Sequence, residues 1–306
     1  MKQVLWSAFE QCGRMLVALT ILTAEAVTTA RAGDPVVTAV SPVQSVVVEG
    51  SVLKITLSDG RLLTSSDLIG ANLLIDQGGH TLRVRLEDIE RDPSDKRAGV
   101  AAADTIWLHR FAVEGPDGTW QPLCEDGPDG RRQAIPLAGR FSAANGRFEV
   151  DGSSRFELAC TAGAMGKCVR FGYRPWQIGD LPEPVPQKNV GGGAATASRL
   201  DLYNACIRMV RADYGGNGVS TTRTGMIIDL YDDLGIQSPS MDPGMTFEAG
   251  WTQDGAVCVN HPRVKENVSL GDIEVRWPHL AGKTGTSCTE EAARAMGALL
   301  YNSSAP

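Results

Sequence analysis

The sequence predicts an α+β protein in which a β-rich N-terminal unit is followed by a disulfide-braced module with a central helix packed on strands. Three observations lead to this fold class. Between residues 46 and 120, short β-branched and apolar runs alternate with glycine and aspartate turns. The segment 198–214 has the spacing of an amphipathic helix. Six cysteines follow residue 120, an even number that suits up to three disulfides.

Residues 1–32 have the features of a secretory signal peptide. Lys2 and Arg14 precede an apolar run at 15–23, and small residues mark a cleavage site at 30–32. The apolar run is too short to cross a membrane. We therefore expect an exported protein, periplasmic or extracellular, with no membrane span in the mature chain.

The charge balance argues against a nucleic-acid partner. The whole chain has 29 Lys and Arg against 36 Asp and Glu, a net charge of −7, and removal of the leader leaves 26 against 34, or −8. Nucleic acids and anionic membrane surfaces are bound through an excess of Lys and Arg. We expect an unknown ligand or an envelope component as the partner instead.

Residues 33–160 are predicted to form the β-rich unit, either a sandwich or an open barrel. Asp-Gly pairs at 59–60, 117–118 and 129–130 are typical of the turns that connect strands. Period-two alternation and β-branched content give the strand candidates, which are 46–48, 53–57, 73–75, 82–86 and 106–113, with two more between Phe148 and Leu158.

Residues 161–306 are predicted to form the second module, with a flexible Pro- and Gly-rich loop at 181–197. Its central helix should begin at Ser198, whose hydroxyl can cap the helix while Asp201 occupies the first turn. Gly215 and Gly216 should end it. The apolar side of this helix should pack on strands from about 247 to 277. Its other side carries Asn204, Arg208 and Arg211, and a last helix is expected at 290–301.

The cysteines are predicted to form structural disulfides. No two of them have the C-x-x-C spacing of a zinc or redox site, so neither a metal nor another cofactor is predicted. The sequence leaves the pairing open among Cys124, Cys160, Cys168, Cys206, Cys258 and Cys288.

Several short sequence motifs occur together and in order in the second half of the chain. They are Gly-Lys-Cys-Val-Arg-Phe-Gly-Tyr-Arg-Pro-Trp at 166–176, Ala-Cys-Ile-Arg-Met-Val-Arg-Ala-Asp-Tyr at 205–214, Thr-Arg-Thr-Gly at 222–225, and Phe-Glu-Ala-Gly-Trp at 247–251. The chain resembles the ADYC domain, a family of exported bacterial proteins of unknown function. The resemblance implies that the protein is exported and shares the architecture of the family, but it implies no particular chemical activity. Gly215 stands where the family has its namesake cysteine.

The sequence does not decide whether the protein is an enzyme, and the absence of a complete catalytic constellation favours a binding or envelope-associated module. A hydrolase is the first alternative, because ionisable groups that suit acid–base chemistry cluster in and after the central helix. Its candidate residues are Asp213, Tyr214, Arg223, His261 and Arg263. A partly buried ionic network explains the charged residues of this block better. It would pair Arg208, Arg211, Arg223 and Arg263 with Asp213, Asp229 and Asp232.

Two further sites have partial sequence support. Asp213 and Asn217 match the start of a calcium loop, but a glycine-rich helix exit explains them better. Ser51 and Lys54 with Lys-Thr-Gly at 283–285 are typical of penicillin-binding serine acyl enzymes. That family places its serine at the start of a helix, whereas residues 52–57 are predicted to be a strand.

Overall fold

A computed structural model describes residues 41–77, 80–95, 104–150, 152, 155–177, 197–240 and 242–305. The predicted signal peptide lies outside these residues, and so does the predicted loop apart from Ala197. The chain divides into two compact units, residues 1–140 with 149–166 and residues 141–148 with 167–306.

The first unit contains two antiparallel sheets. The smaller sheet has the strand order β1-β2-β3, with β1 (Val43–Glu49), β2 (Val52–Leu57) and β3 (Leu62–Thr64). The larger has six strands in the order β11-β8-β6-β5-β4, with β7 added to β6. These strands are β4 (Asn72–Gln77), β5 (His80–Arg91), β6 (Trp107–Glu114), β7 (Trp120–Pro122), β8 (Ala134–Ala138) and β11 (Phe156–Cys160).

One hydrophobic core serves both sheets. Val46, Leu53 and Ile55 of the smaller sheet share it with Val84 and Phe111 of the larger. Because side chains alternate along a strand, each sheet gives one face to this core. The disulfide Cys124–Cys160 closes the end of β11.

A short chain of hydrogen bonds crosses the first unit beside this core. The N–H of Leu53 donates to Ser65 Oγ at 2.8 Å, and Ser65 Oγ lies 2.7 Å from Nε2 of the buried His109. His109 Nδ1 lies 3.2 Å from the carbonyl of Trp107. A neutral imidazole protonated at Nδ1 satisfies all three contacts.

The second unit is built on a four-stranded antiparallel sheet with the order β12-β15-β13-β14. The last strand of the chain therefore lies inside the sheet. The strands are β12 (Ile228–Tyr231), β13 (Thr246–Thr252), β14 (Gly255–Val259) and β15 (Leu300–Ser304). A separate hairpin of β9 (Arg140–Ser142) and β10 (Arg147–Glu149) contributes residues 141–148 to this unit.

Helices cover both faces of the second sheet. The central helix α2 (Arg199–Arg211) packs on β13, β14 and β15. The short helix α4 (Glu290–Ala295) packs on the opposite face, where a Cβ on Gly250 would lie 2.5 Å from Ala293 Cβ. The remaining helices are α1 (Ala164–Arg170), which spans the division between the units, and α3 (Leu270–Arg276).

The predicted fold class and the predicted disulfides are confirmed. The bond Cys168–Cys206 joins α1 to α2, and Cys258–Cys288 joins β14 to the turn before α4. Two element assignments were wrong. Residues 270–276 form α3 rather than a strand, and the predicted helix at 290–301 ends at Ala295, after which the chain enters β15. None of the helices in the described ranges combines the length and apolar content that a membrane span requires.

Stability should depend on pH through His109. Burial lowers the pKa of His109 from 6.5 to about 4, because the imidazolium would lose its hydration. As the pH falls through this window the unfolded chain takes up a proton that the folded chain does not, so the free energy of unfolding decreases. Urea denaturation should show a steeper loss in the wild type than in His109→Gln, by up to about 1.4 kcal/mol per pH unit.

The exposed His80 provides the matched control. His80→Gln should leave the wild-type slope unchanged. Equal slopes for the wild type and His109→Gln would contradict the assignment of a neutral buried imidazole.

Candidate functional site

The candidate site is built around α2. Ser198 Oγ accepts a hydrogen bond from the N–H of Asp201 at 3.1 Å, and the Asp201 carboxylate accepts one from the N–H of Ser198 at 2.9 Å. This capping box fixes the helix start at the predicted residue. The predicted stop was wrong. The helix ends at Arg211, because Ala212 adopts a left-handed conformation with φ of 49°, ahead of the glycines.

Asp213 follows this turn and is completely buried. Its Oδ2 accepts a hydrogen bond from Arg208 Nη1 at 2.5 Å and another from the N–H of Gly218 at 2.8 Å. Its Oδ1 accepts from the N–H of Asn217 at 3.2 Å. The carboxylate therefore closes the glycine-rich loop on one side and holds a buried guanidinium on the other.

Two residues of the polar side of α2 are buried. Arg208 and Asn204 are 1% and 5% exposed, because residues 141–148 lie against them. Arg208 donates from Nε to the carbonyl of Gln253 at 3.1 Å and from Nη2 to that of Asn145 at 2.5 Å. Asn204 bonds both backbone groups of Phe148. All the polar groups of Arg208 are thus engaged.

A second buried ion pair lies next to the first. Glu248, which is fully buried, accepts two hydrogen bonds from Arg263 at 3.0 Å, one on each carboxylate oxygen. Tyr214 donates its hydroxyl proton to Glu248 at 3.0 Å and accepts a hydrogen bond from the N–H of Arg263 at 2.9 Å. Arg263 also donates to the carbonyls of Met209 and Val210, so it caps the C-terminal turn of α2.

Two residues from the sheet complete this cluster. Asn302 donates to Glu248 Oε2 at 2.8 Å and accepts from Trp251 Nε1 at 2.7 Å. The register of β13 against β15 slips between Phe247 and Ala249, which is the signature of a β-bulge. The bulge places Glu248 on the face that α2 covers. We call Tyr214, Glu248, Trp251, Arg263 and Asn302 the Glu248 cluster.

The electrostatics of the cluster favour a fixed structure. Burial raises the pKa of Tyr214 well above its usual value, and the Glu248 carboxylate adds to the rise, so the phenol stays a hydrogen-bond donor. Burial lowers the pKa of Arg208, and the carboxylate of Asp213 opposes that effect. Every polar side-chain atom of the Glu248 cluster has a protein partner.

Most of the chain matches a known protein family. Residues 65–265, more than half of the sequence, match the ADYC domain. The chain belongs to the ADYC domain family. No curated protein and no solved structure matches the chain.

The residues that give the ADYC family its name stand at the centre of the site. Ala212 ends α2, Asp213 holds Arg208, and Tyr214 belongs to the Glu248 cluster. Gly215 replaces the namesake cysteine, and a Cβ there would lie 2.0 Å from Trp277 Nε1. The indole of Trp277 therefore occupies the space that a side chain at residue 215 would need.

The other predicted catalytic candidates are placed differently. Arg263 joins Tyr214 in the Glu248 cluster, whereas Arg223 is exposed. His261 is 8% exposed, with Nε2 at 3.0 Å from Thr246 Oγ1, and its buried Nδ1 has no partner among the described residues.

The structure also shows the surroundings of the two partial motifs. In the described part of the chain, no three His, Cys, Asp or Glu side chains are grouped as metal ligands, and Asn217 meets Asp213 through its backbone. Ser51 is buried immediately before β2, where its hydroxyl donates to Thr105 and accepts from the N–H of Trp107. Residues 52–57 form the predicted strand.

Sequence reasoning missed Glu248, Trp251 and Asn302. The one signal in the sequence is the glutamate in the otherwise apolar segment Phe-Glu-Ala-Gly-Trp at 247–251. A carboxylate in such a segment is expected to be buried and to need a partner. Nothing in the local sequence connects it to Asn302, which lies 54 residues further along the chain.

Removal of Glu248 should destabilise the ADYC fold strongly. Glu248→Ala leaves the Arg263 guanidinium buried without its carboxylate, and we expect the free energy of unfolding to fall by about 3–5 kcal/mol. Arg276→Ala breaks the exposed 3.8 Å pair with Asp272 in the same unit and should cost less than about 1 kcal/mol. Denaturant melts of the two variants test this. A similar loss of unfolding free energy in both variants would contradict the expectation that the buried pair contributes more to stability than the exposed pair.

A double-mutant cycle should reveal the contact between Gly215 and Trp277. Gly215→Ala forces a methyl group into the indole and should cost about 1–3 kcal/mol. Trp277→Ala removes the obstacle, so the double variant should be more stable than the sum of the single losses predicts.

Gly271→Ala is the control for that cycle. It adds a methyl group in α3, where the nearest atom lies at an ordinary 3.8 Å, and it should be neutral or slightly stabilising. Strict additivity of Gly215→Ala and Trp277→Ala would contradict the proposed steric contact.

Proposed function

We propose that this ADYC protein is an exported binding module of the cell envelope that acts by recognising a ligand. The proposal rests on one observation. The polar side-chain atoms of the Glu248 cluster and of the Arg208–Asp213 pair already have hydrogen-bond partners within the protein. A general acid, base or nucleophile needs an atom that can reach substrate. The polar atoms of Asp213, Tyr214 and Arg263 are instead committed to buried protein partners.

Export is the second part of the proposal. Three disulfides are typical of proteins that mature in an oxidising compartment, and the predicted signal peptide at 1–32 provides a route there. Mass spectrometry of the chain produced in a bacterial host should give a mature N terminus at Gly33. The unprocessed mass, or six free thiols, would contradict export.

The binding activity can be tested with envelope components. The processed chain is mixed with peptidoglycan sacculi, with lipopolysaccharide, with phospholipid vesicles and with soluble oligosaccharides. We expect saturable binding to one of these classes in co-sedimentation or calorimetry, and loss of that binding once the disulfides are reduced. Failure to bind any class, or turnover of ester, amide or glycoside substrates, would contradict the proposal.

One observation favours the hydrolase alternative. His261 Nδ1 has no partner in the described part of the chain. Such a nitrogen could exchange protons with a substrate if the ring turned to expose this atom, which is now buried. The alternative predicts measurable turnover that His261→Asn abolishes while the free energy of unfolding changes little. Absence of turnover from the wild type eliminates it.

A further inference from the structure

The outer face of the larger sheet in the first unit differs from the saturated cluster of the second unit. Leu73, Val84 and Phe111 point into the core, so the residues that alternate with them point outward. Cross-strand pairs align them, with Asn72 opposite Arg85 and Glu114 opposite Trp120. We call this surface the Trp120 face, and it consists of Asn72, Arg83, Arg85, Glu87, Glu114 and Trp120.

Two arginines hold the indole on this face. The Arg85 guanidinium carbon lies 4.3 Å from the centroid of the Trp120 ring, and that of Arg83 lies 5.8 Å away. Cation–π contacts of this kind fix an aromatic ring at a surface that would otherwise let it move. Trp120 remains half-buried, so part of its apolar surface stays open to solvent.

Charges on the Trp120 face are balanced. Arg83 pairs with Glu114 at 3.1 Å, and Arg85 pairs with Glu87 at 2.9 Å. The neighbouring Arg110 lies 3.5 Å from Glu87 and 3.5 Å from Asp88. Three guanidinium groups thus accompany three carboxylates. A surface of this kind offers donors and acceptors in equal measure, without the cationic excess that a phosphate or a nucleic acid requires.

Two polar atoms of this face have no hydrogen-bond partner, as is true of several others in the described residues. Asn72 Oδ1 and Arg83 Nε are both buried, and neither has a hydrogen-bond partner within the described ranges. One is an acceptor and the other a donor, and each loses free energy until it is paired. Because both atoms are buried, a ligand can pair with them only after the Asn72 and Arg83 side chains turn outward. A ligand hydroxyl could then serve either atom, because a hydroxyl both donates and accepts.

We propose that the Trp120 face binds a neutral oligosaccharide. The apolar C–H face of a pyranose ring packs on the exposed part of the Trp120 indole, while its hydroxyls pair with the Asn72 carbonyl, Arg83 Nε and the flanking carboxylates. An aromatic platform with a few placed polar groups is the usual composition of a small-ligand site. This inference rests on the proposed function, since it names the ligand class and the surface of the binding module.

Calorimetric titration of the processed full chain tests the proposal. The neutral probes are cellotetraose, maltotetraose and chitotetraose, and the anionic probe is tetragalacturonate. We expect saturable binding of at least one neutral probe and at least tenfold weaker binding in Trp120→Ala. The matched control is Trp107→Ala, a half-buried tryptophan whose position in β6 puts it on the opposite face, and it should stay within twofold of the wild type.

A second variant separates binding from folding. Asn72→Leu keeps the side-chain size and removes the unpaired carbonyl, so we expect at least fivefold weaker binding with no loss of stability in denaturant melts. A purely structural role for Asn72 predicts the reverse, with lower stability and unchanged affinity. This variant keeps the proposal testable if Trp120→Ala does not fold.

The outcomes also separate this inference from the proposed function. Tetrasaccharide binding that survives both Trp120→Ala and Asn72→Leu overturns the Trp120 face and leaves a binding module. The chain could instead prefer tetragalacturonate, or bind sacculi or vesicles but no neutral tetrasaccharide. Either result overturns the proposal that the ligand is a neutral oligosaccharide. Absence of binding to every class, or turnover of substrate, overturns both proposals.

Discussion

The buried pair of Glu248 and Arg263 is the constraint on which the second unit depends. Removing two charges from water is costly, and a buried pair is tolerated only when further hydrogen bonds satisfy its remaining atoms. Here those bonds come from a tyrosine beyond the helix, an asparagine of the last strand and two carbonyls of the last helical turn. The pair therefore joins α2, β13 and β15, and loss of a partner from any one of them leaves a hydrogen-bonding group of the pair unsatisfied in the core.

The namesake residues of the ADYC family have structural roles in this chain. Asp213 neutralises Arg208, which in turn holds the backbone of residues 141–148 and the turn after β13. Tyr214 connects the helix exit to the Glu248 cluster. A sequence motif of this kind identifies the fold and says little about chemistry, because its polar atoms are already paired within the protein. The substitution of the cysteine by Gly215 fits this view, since the Trp277 indole fills the space.

The sequence was sufficient where the physical cause is local. The Ser198 capping box spans four residues and predicted the start of α2, and alternation predicted most strands of the first unit. Prediction failed where the cause is distant in the chain. The sequence did not identify the partners of Arg208 at Asn145 and Gln253, because they lie 63 and 45 residues away. The end of α2 depends on an alanine whose left-handed backbone no propensity indicates. The disulfide pairing was open for the same reason.

The Glu248 cluster and the Trp120 face differ in how far their polar groups are paired. In the Glu248 cluster of the second unit every side-chain donor and acceptor has a partner, whereas the Trp120 face of the first unit keeps a buried acceptor and a buried donor unpaired beside an accessible indole. An unpaired buried group costs free energy, and on the Trp120 face two such groups lie near an indole that is only partly buried. Residues 65–265 include the Trp120 face and every member of the Glu248 cluster except Asn302, so the family match covers a surface far from the namesake residues in the sequence. Recognition in this chain is best tested on the Trp120 face, because a partly exposed aromatic ring and unpaired polar atoms occur together there.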